Sequence, residues 1–456
     1  MKPCIRANAF VAAAVAFALV GSARADVIPL VAGPAAGPTV LVVTDTFAGD
    51  LSADVALRQV AAWPLARGRV VTAGKDELPA AVAAAKPAAV VVLRTARYTK
   101  ESATVEARGV DAGPLVDTLN GLTEGKGEKL SADPAGGHLP AVDAVAGAPA
   151  VRVSLIVKDG GTNPAARARM FRHAVYAVLA GQKMADGVDP WLLARRQPGL
   201  VNVAVYVGVG SESTPGVKAY PKALTMDPGV RYTFVGAAEI RRPGGLSPFD
   251  AIVFPGGMSN AQGKVLGTDG AKAVQDFVRA GGGYVSSCAG SYLASTHYDW
   301  SLGIINSDVL DAAHWLRGSG DVDIELTDAG RAILGDFKGL VKCHYANGPL
   351  LAAGKAAGLG AFTPLAYYRS DMAKSAKGGV MPNTPAIIAG DCGSGRVLCF
   401  SPHPEYTAGL EGFVARAVRW TARKPAAETA TAEDATAEPK PATEPKAVEA
   451  VKAAGE

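Results

Sequence analysis

Cys288, His403 and Glu405 are the residues whose types and spacing permit acyl chemistry. A thiolate attacks a carbonyl carbon, an imidazole carries the proton, and a carboxylate fixes the imidazole tautomer. Cys288 lies in Gly281-Gly282-Gly283-Tyr284-Val285-Ser286-Ser287-Cys288-Ala289-Gly290-Ser291. This stretch reads as a glycine turn, a short strand, a cysteine at a sharp bend, then a helix. Ala289, Gly290 and Ser291 are small, so the backbone can fold tightly behind the sulfur, as in a nucleophile elbow. A helix starting just after Cys288 aims N–H groups and its positive end at the sulfur, favouring thiolate. A buried cysteine in a strand is the plain alternative. His403 and Glu405 stand in Pro402-His403-Pro404-Glu405, whose prolines stiffen the loop and so preorganise the pair.

Donors for a developing oxyanion are expected in two places. Pro255-Gly256-Gly257 closes the strand Phe249 to Phe254, and Ala289 follows the cysteine. The N–H groups of Gly257 and Ala289 are the candidates, with Gly256 allowing close approach of the backbone. A tight turn explains the Gly-Gly pair equally well. Tyr345 and Asn347 are candidates to bind a polar substrate group. Cys343 and His344 are strand neighbours on opposite faces, so they do not form a base pair with each other. No metal ligand set is expected. His138, His173, His297 and His314 read as surface or packing residues. Asp321 to Leu326 alternates like a strand and lacks the glycine of a calcium loop. No cofactor is expected either.

The elements that must position these residues come in two runs. The first has strands at Pro38–Thr44, Gly68–Thr72, Ala88–Leu93 and Val151–Val157, with helices at Ser52–Trp63, Leu78–Ala85 and Ala165–Ala180. Alternating strand and helix units predict a parallel α/β sheet. Arg108 to Ala148 has little period and reads as a long surface excursion. After a linker, 186–199, the pattern restarts. Strands are expected at Val201–Val209, Val230–Phe234, Phe249–Phe254 and ahead of Cys288, with a helix at Ala271–Ala280. Late strands at Ala386–Ala389 and Arg396–Ser401 flank the turn Gly390–Gly395. A closing helix spans Leu410–Ala422. The reactive groups thus fall at the carboxyl ends of strands, where open parallel sheets gather ligands.

The 456 residues are enough for two cores. Lys+Arg 46 against Asp+Glu 42, with no basic cluster, gives no support for nucleic-acid binding. Met1 to Ala25 has the charged start, short apolar run and Ala23-Arg24-Ala25 site of a secretory signal. The protein is therefore expected to be periplasmic or secreted, with no membrane span after cleavage. Residues 26–185 and 200–423 are expected as two α/β domains. Residues 424–456, built of Ala, Glu, Thr, Lys and Pro, are expected as a disordered tail. Cys392 and Cys399 flank a hairpin turn, so a disulfide between them stays open.

On these motifs, Val201 to Arg423 resembles the class I glutamine amidotransferase-like superfamily. The branch it looks most like is the domain at the N-terminus of biotin–protein ligases. The marks are Phe254-Pro255-Gly256-Gly257, Cys288-Ala289-Gly290-Ser291-Tyr292-Leu293-Ala294, His344-Tyr345-Ala346-Asn347-Gly348-Pro349 and His403-Pro404-Glu405. The resemblance implies a flavodoxin-like three-layer sandwich with a mostly parallel sheet, and a Cys288–His403–Glu405 triad. Ser286 stands where that family's elbow usually has glycine. The first half resembles the zinc carboxypeptidase-like desuccinylases along Val43 to Asp50, Ala56-Leu57 and Trp63. Phe47, Asp50 and Arg94 fall where that family's ligands would be, so the resemblance implies a domain without zinc. A generic α/β layer fits the same pattern.

Two functions follow as expectations. One is an exported cysteine amidase or hydrolase acting on a small-molecule or peptide amide. The other is a non-catalytic module, binding a small molecule or a protein on the same scaffold. Neither the substrate nor the oligomeric state is legible.

Overall fold

The computed structural model describes residues 37–46, 50, 52–61, 65, 67–96, 102–122, 128–133, 150–157, 164–184, 199–211, 214–374 and 378–423. The expected leader, nearly all of the linker and the tail lie outside the described residues.

The first unit comprises β1 (Thr39–Asp45), α1 (Ser52–Ala61), β2 (Arg69–Gly74), α2 (Leu78–Ala85), β3 (Ala89–Ala96), β4 (Ser102–Arg108), α3 (Ala112–Asn120), β5 (Glu128–Asp133), β6 (Ala150–Val157) and α4 (Pro164–Gly181). Its strand order is β2-β1-β3-β4-β6-β5. The parallel sheet expected here is in fact mixed. β1 runs parallel to β2 and β3, but β3, β4, β6 and β5 pair antiparallel in turn. The link 97–101 between β3 and β4 is too short for a parallel crossover, so the chain turns straight back. The excursion expected from Arg108 is also corrected. Asp111 caps α3 by accepting from the Gly113 N–H at 3.1 Å, and β5 adds an edge strand.

In the first half, Arg94 and Asp50, which fall where the zinc family's ligands would be, are taken up by ion pairs. Arg94 reaches Asp45 at 2.7 Å and Glu106 at 3.2 Å, and Asp50 pairs with Arg167 at 3.1 Å. Phe47 lies outside the described residues. Among the described residues no group of three or more His, Cys, Asp or Glu could hold a metal ion.

The second unit continues with β7 (Val201–Tyr206), α5 (Pro215–Thr225), β8 (Val230–Val235), α6 (Ala237–Arg241), β9 (Ala251–Phe254), α7 (Ser259–Arg279), β10 (Gly283–Ser287) and α8 (Ala289–Ala294). There follow β11 (Ser307–Leu310), β12 (Ser319–Leu326), α9 (Asp328–Leu334), β13 (Leu340–Ala346), β14 (Leu350–Ala353), β15 (Thr363–Tyr368), β16 (Pro385–Cys392), β17 (Gly395–Phe400) and α10 (Gly412–Thr421). The nine-stranded sheet runs β13-β12-β15-β16-β17-β10-β9-β7-β8. Within it, β8, β7, β9, β10 and β17 are parallel, the 2-1-3-4-5 order of a flavodoxin-like sheet. Only β12 and β16 oppose the rest. The central strands are apolar on both faces because helices cover both. α5, α9 and α10 pack on one side, and α6, α7 and α8 on the other.

Four details sharpen the expectations. α7 starts earlier than its apolar spacing suggests, with a break at Gly267 (φ 60°). The β16–β17 turn is tighter, with Cys392 opposite Gly395 and Cys399 opposite Ile388, and all four described cysteines are free. No helix among the described residues is long and apolar enough to cross a membrane. Lastly, α4 belongs to the first sheet's core yet is tied to the second unit. Arg169 and Arg172 of α4 pair with buried Glu239, and they donate to the carbonyls of Val207 and Phe234 at 3.1 and 2.9 Å.

Candidate active site

The site lies where the carboxyl ends of β9, β10, β17 and β13 meet. Cys288 follows β10 directly, and its backbone is left-handed, φ 48° and ψ −105°. A side chain there is strained, and such strain is held by surrounding structure at functional elbows. Here the Cys288 N–H is tied to the Phe400 carbonyl at 2.9 Å. Ser286 does not blunt the bend. Its hydroxyl sits 3.0 Å from Ser291 Oγ, which donates to the Phe400 carbonyl at 2.7 Å. α8 spans only six residues, so the dipole expected behind the sulfur is a short one.

His403 leaves the end of β17 and begins a single 3-10 turn, Pro404–Tyr406. Its Nδ1 is 2.8 Å from Glu405 Oε1, with both residues buried. Burial opposes a charge on His403. The carboxylate of Glu405 and the neighbouring Cys288 outweigh it, and the imidazole is raised to about 10. Tyr406 stacks on the ring at 4.7 Å. The structure therefore brings Cys288, His403 and Glu405 together, with the sulfur also 3.3 Å from the Ala346 carbonyl oxygen.

Gly256 is the seat on which this pair rests. A Cβ there would stand 2.7 Å from His403 Cε1 and 3.4 Å from Cys288 Cβ. Gly256→Ala is expected to push the ring off the sulfur and slow Cys288 alkylation about 10²-fold, as ångström misplacements do. Iodoacetamide labelling at pH 6, with circular dichroism to show an intact fold, checks this. Gly257 holds φ 143°, and a Cβ would meet the Gly210 carbonyl oxygen at 1.8 Å, so no other residue fits. Among the described residues, no acceptor takes the backbone N–H of Gly257 or of Ala289.

Two expectations about the rim are corrected. Tyr345 is turned inward, and its hydroxyl donates to the Gly348 carbonyl at 2.8 Å rather than facing a substrate. Strand alternation gave two faces, and the core claimed the one bearing Tyr345. Asn347 braces a turn instead. Its Oδ1 accepts from the Gly318 N–H at 2.8 Å, and its own N–H donates to the Gly318 carbonyl at 3.1 Å. Cys343 is buried and pushed up to about 12, which makes it a poor nucleophile.

Sequence reasoning missed Ser287 and Tyr220. Ser287 donates to Glu405 Oε1 at 2.9 Å, and Tyr220 donates to Ser287 at 2.9 Å. A buried line of donors thus runs into the carboxylate that faces His403. Only the register of β10 against the 3-10 turn reveals it.

Residues 201–314 match the family model described as "Biotin-protein ligase, N terminal". That match covers β7 through the start of the loop before β12, including Gly256 and Cys288, but not His403. A search of curated proteins finds no match. Among solved structures, a glutamine amidotransferase is similar at 19% identity and TM-score 0.34, over 48% of this chain and 98% of that one. A putative GMP synthase protein from Thermoplasma acidophilum is similar at 13% and 0.35, over 50% and 96%. A putative ThuA-like protein from Parabacteroides merdae is similar at 12% and 0.34, over 49% and 90%.

Proposed function

We propose that the protein is an exported cysteine amidase or hydrolase. The observation that carries this reading is Cys288 on a strained elbow, set against Gly256 together with an imidazole that faces a buried carboxylate. Cys288 attacks the carbonyl carbon of a carboxamide as a thiolate, its proton already held by His403 as an ion pair. The developing oxyanion is met by the N–H groups of Gly257 and Ala289. The C–N bond breaks, His403 gives its proton to the leaving nitrogen, and ammonia or an amine departs. Water then attacks the thioester, which frees the acid and restores the thiol. Glu405 holds the imidazole tautomer and stabilises its charged form. The arrangement asks for no cofactor. The partner is a small-molecule or peptide amide.

A second reading has one observation in its favour. The sulfur lies 3.3 Å from the Ala346 carbonyl, the contact of a neutral thiol donor. It would suit a module that binds without turnover. Ammonia release from a panel of primary carboxamides separates the two, measured before and after labelling Cys288 with iodoacetamide. The amidase reading expects labelling well below the pH of a free thiol, about 8.5, and release that labelling abolishes. Labelling at ordinary thiol pH with no release would leave only the binding module.

A further inference from the structure

A cavity opens at the far end of the nine-stranded sheet from Cys288. Its volume is about 580 Å³, inside the range of about 300–1,000 Å³ that small-molecule sites occupy. Arg279 in the last turn of α7 lines it, with Thr296 and Tyr298 after α8, Leu359 in the loop before β15, and Cys392 at the end of β16. Arg279 and Cys392 stand at the amino ends of β10 and β17, whereas Cys288 and His403 follow the carboxyl ends of the same two strands. β10 has five residues, so about 16 Å of strand separates this cavity from the sulfur.

The acceptors around the cavity are used up. The Tyr292 carbonyl takes the hydroxyls of Ser295 and Ser301 at 2.8 and 3.0 Å, and the Ser307 carbonyl takes that of Thr296 at 2.9 Å. The carbonyls that end α7 and α8 are engaged as well. That of Arg279 accepts from the Ser394 N–H at 2.8 Å, and that of Ser295 from the Gly303 N–H at 3.0 Å.

Donors remain. No Asp or Glu lines the cavity, and the acids close to its edge in the chain are held elsewhere, Asp276 by Lys272 and Asp391 by Arg396. Among the described residues Arg279 makes no ion pair. Its charge instead pulls down the Cys392 thiol, which burial raises. The Tyr298 hydroxyl likewise has no hydrogen-bond partner among the described residues. The Tyr298 ring is held rigid, stacked on Trp300 at 4.4 Å and met edge-on by His297 at 4.4 Å. A guanidinium and a rigid phenol beside apolar wall suit an anion carried on an apolar body. One guanidinium balances one negative charge, which favours a monocarboxylate over a phosphate.

We infer that this cavity binds a small organic acid, whose carboxylate meets Arg279 and Tyr298 and whose apolar part lies against Leu359. The inference does not depend on turnover at Cys288.

Calorimetric titration of the full chain tests it. The probes are benzoate, phenylacetate and hexanoate, each set against its alcohol: benzyl alcohol, 2-phenylethanol and 1-hexanol. At least one acid is expected to bind about tenfold more tightly than its alcohol. Arg279→Gln is expected to erase that gap, and Arg279→Lys to keep part of it. Tyr298→Phe is expected to weaken the acid about threefold, the loss of one hydrogen bond. Protein blocked at Cys288 with iodoacetamide should bind the acid unchanged, which separates this cavity from the cysteine cleft. Equal binding of acid and alcohol would overturn the inference, as would a gap that survives in Arg279→Gln or disappears when Cys288 is blocked. No heat from any acid at about 10 mM would overturn it too. Arg279 is exposed at a helix end, so its variants are expected to fold, and melting curves check this. If Arg279→Gln does not fold, the wild-type comparison and Arg279→Lys still decide.

Discussion

His403→Ala is expected to return Cys288 to the behaviour of an ordinary thiol. The imidazole is raised to about 10, because Glu405 and Cys288 outweigh the cost of burying its charge. The sign is that of a base whose folded value exceeds its free one. Its stabilisation of the ion pair is whole below about 6.5 and is lost as pH rises through about 10. Between these limits the sulfur has a cation beside it. Without the imidazole that cation is gone. Labelling of Cys288 at pH 6 should fall about 10²-fold, the low end of what a positioned acid or base contributes. The label is read on the Cys288 peptide. Cys343 and Cys399, both pushed up to about 12 by burial, serve as unreactive internal controls. A rate at pH 6 that does not change would remove His403 from the chemistry.

Glu239→Ala is expected to cost about 3–5 kcal/mol of stability, the range for breaking a buried ion pair on one side. Glu239 is 3% exposed and answers Arg169, Arg172 and His173 of α4, as well as the Gly236 N–H at 3.0 Å. Removing it leaves two guanidinium groups buried without their anion. Denaturant unfolding measures the loss, and a change below about 1 kcal/mol would show that the cluster is not holding the units together. Acid should act on the same place. Burial lowers His173 to about 4, so its neutral form is the folded one, and stability present above about 6.5 is lost as pH falls through about 4. Burial works against the Glu239 charge, but Arg169 prevails and holds it well below the usual carboxylate value, so its contribution is also lost in acid. The fall in melting temperature between pH 6.5 and pH 4 should persist in Glu239→Ala, because the lost carboxylate is what held the His173 value up.

How much was legible in the chain follows from where each signal resides. The elbow at Cys288 is local, written in small residues after a short strand, and the sequence suffices to find it. His403 and Glu405 are two residues apart on a proline-stiffened turn, so their contact is local too. The parallel core strands were plain as apolar runs, because helices cover both faces. β15 was not. It carries Pro364, and its ladder with β16 shifts register around Ala366, which destroys the alternation that marks a strand. Ser287 and Tyr220 were invisible for another reason. Their partners depend on how distant segments align, and a serine or a tyrosine carries no local mark of such a role.

The ladder between β10 and β17 has a consequence for timing. Ser287 lies opposite Phe400, and the Cys288 N–H is pinned to the Phe400 carbonyl, so Cys288 and the turn bearing His403 ride on adjoining rails of one sheet. Their backbones cannot drift apart without breaking the β10–β17 ladder of a buried sheet. The pair is therefore assembled before anything arrives. Whatever throttles it must work on the approach of the reagent, not on bringing sulfur and imidazole face to face.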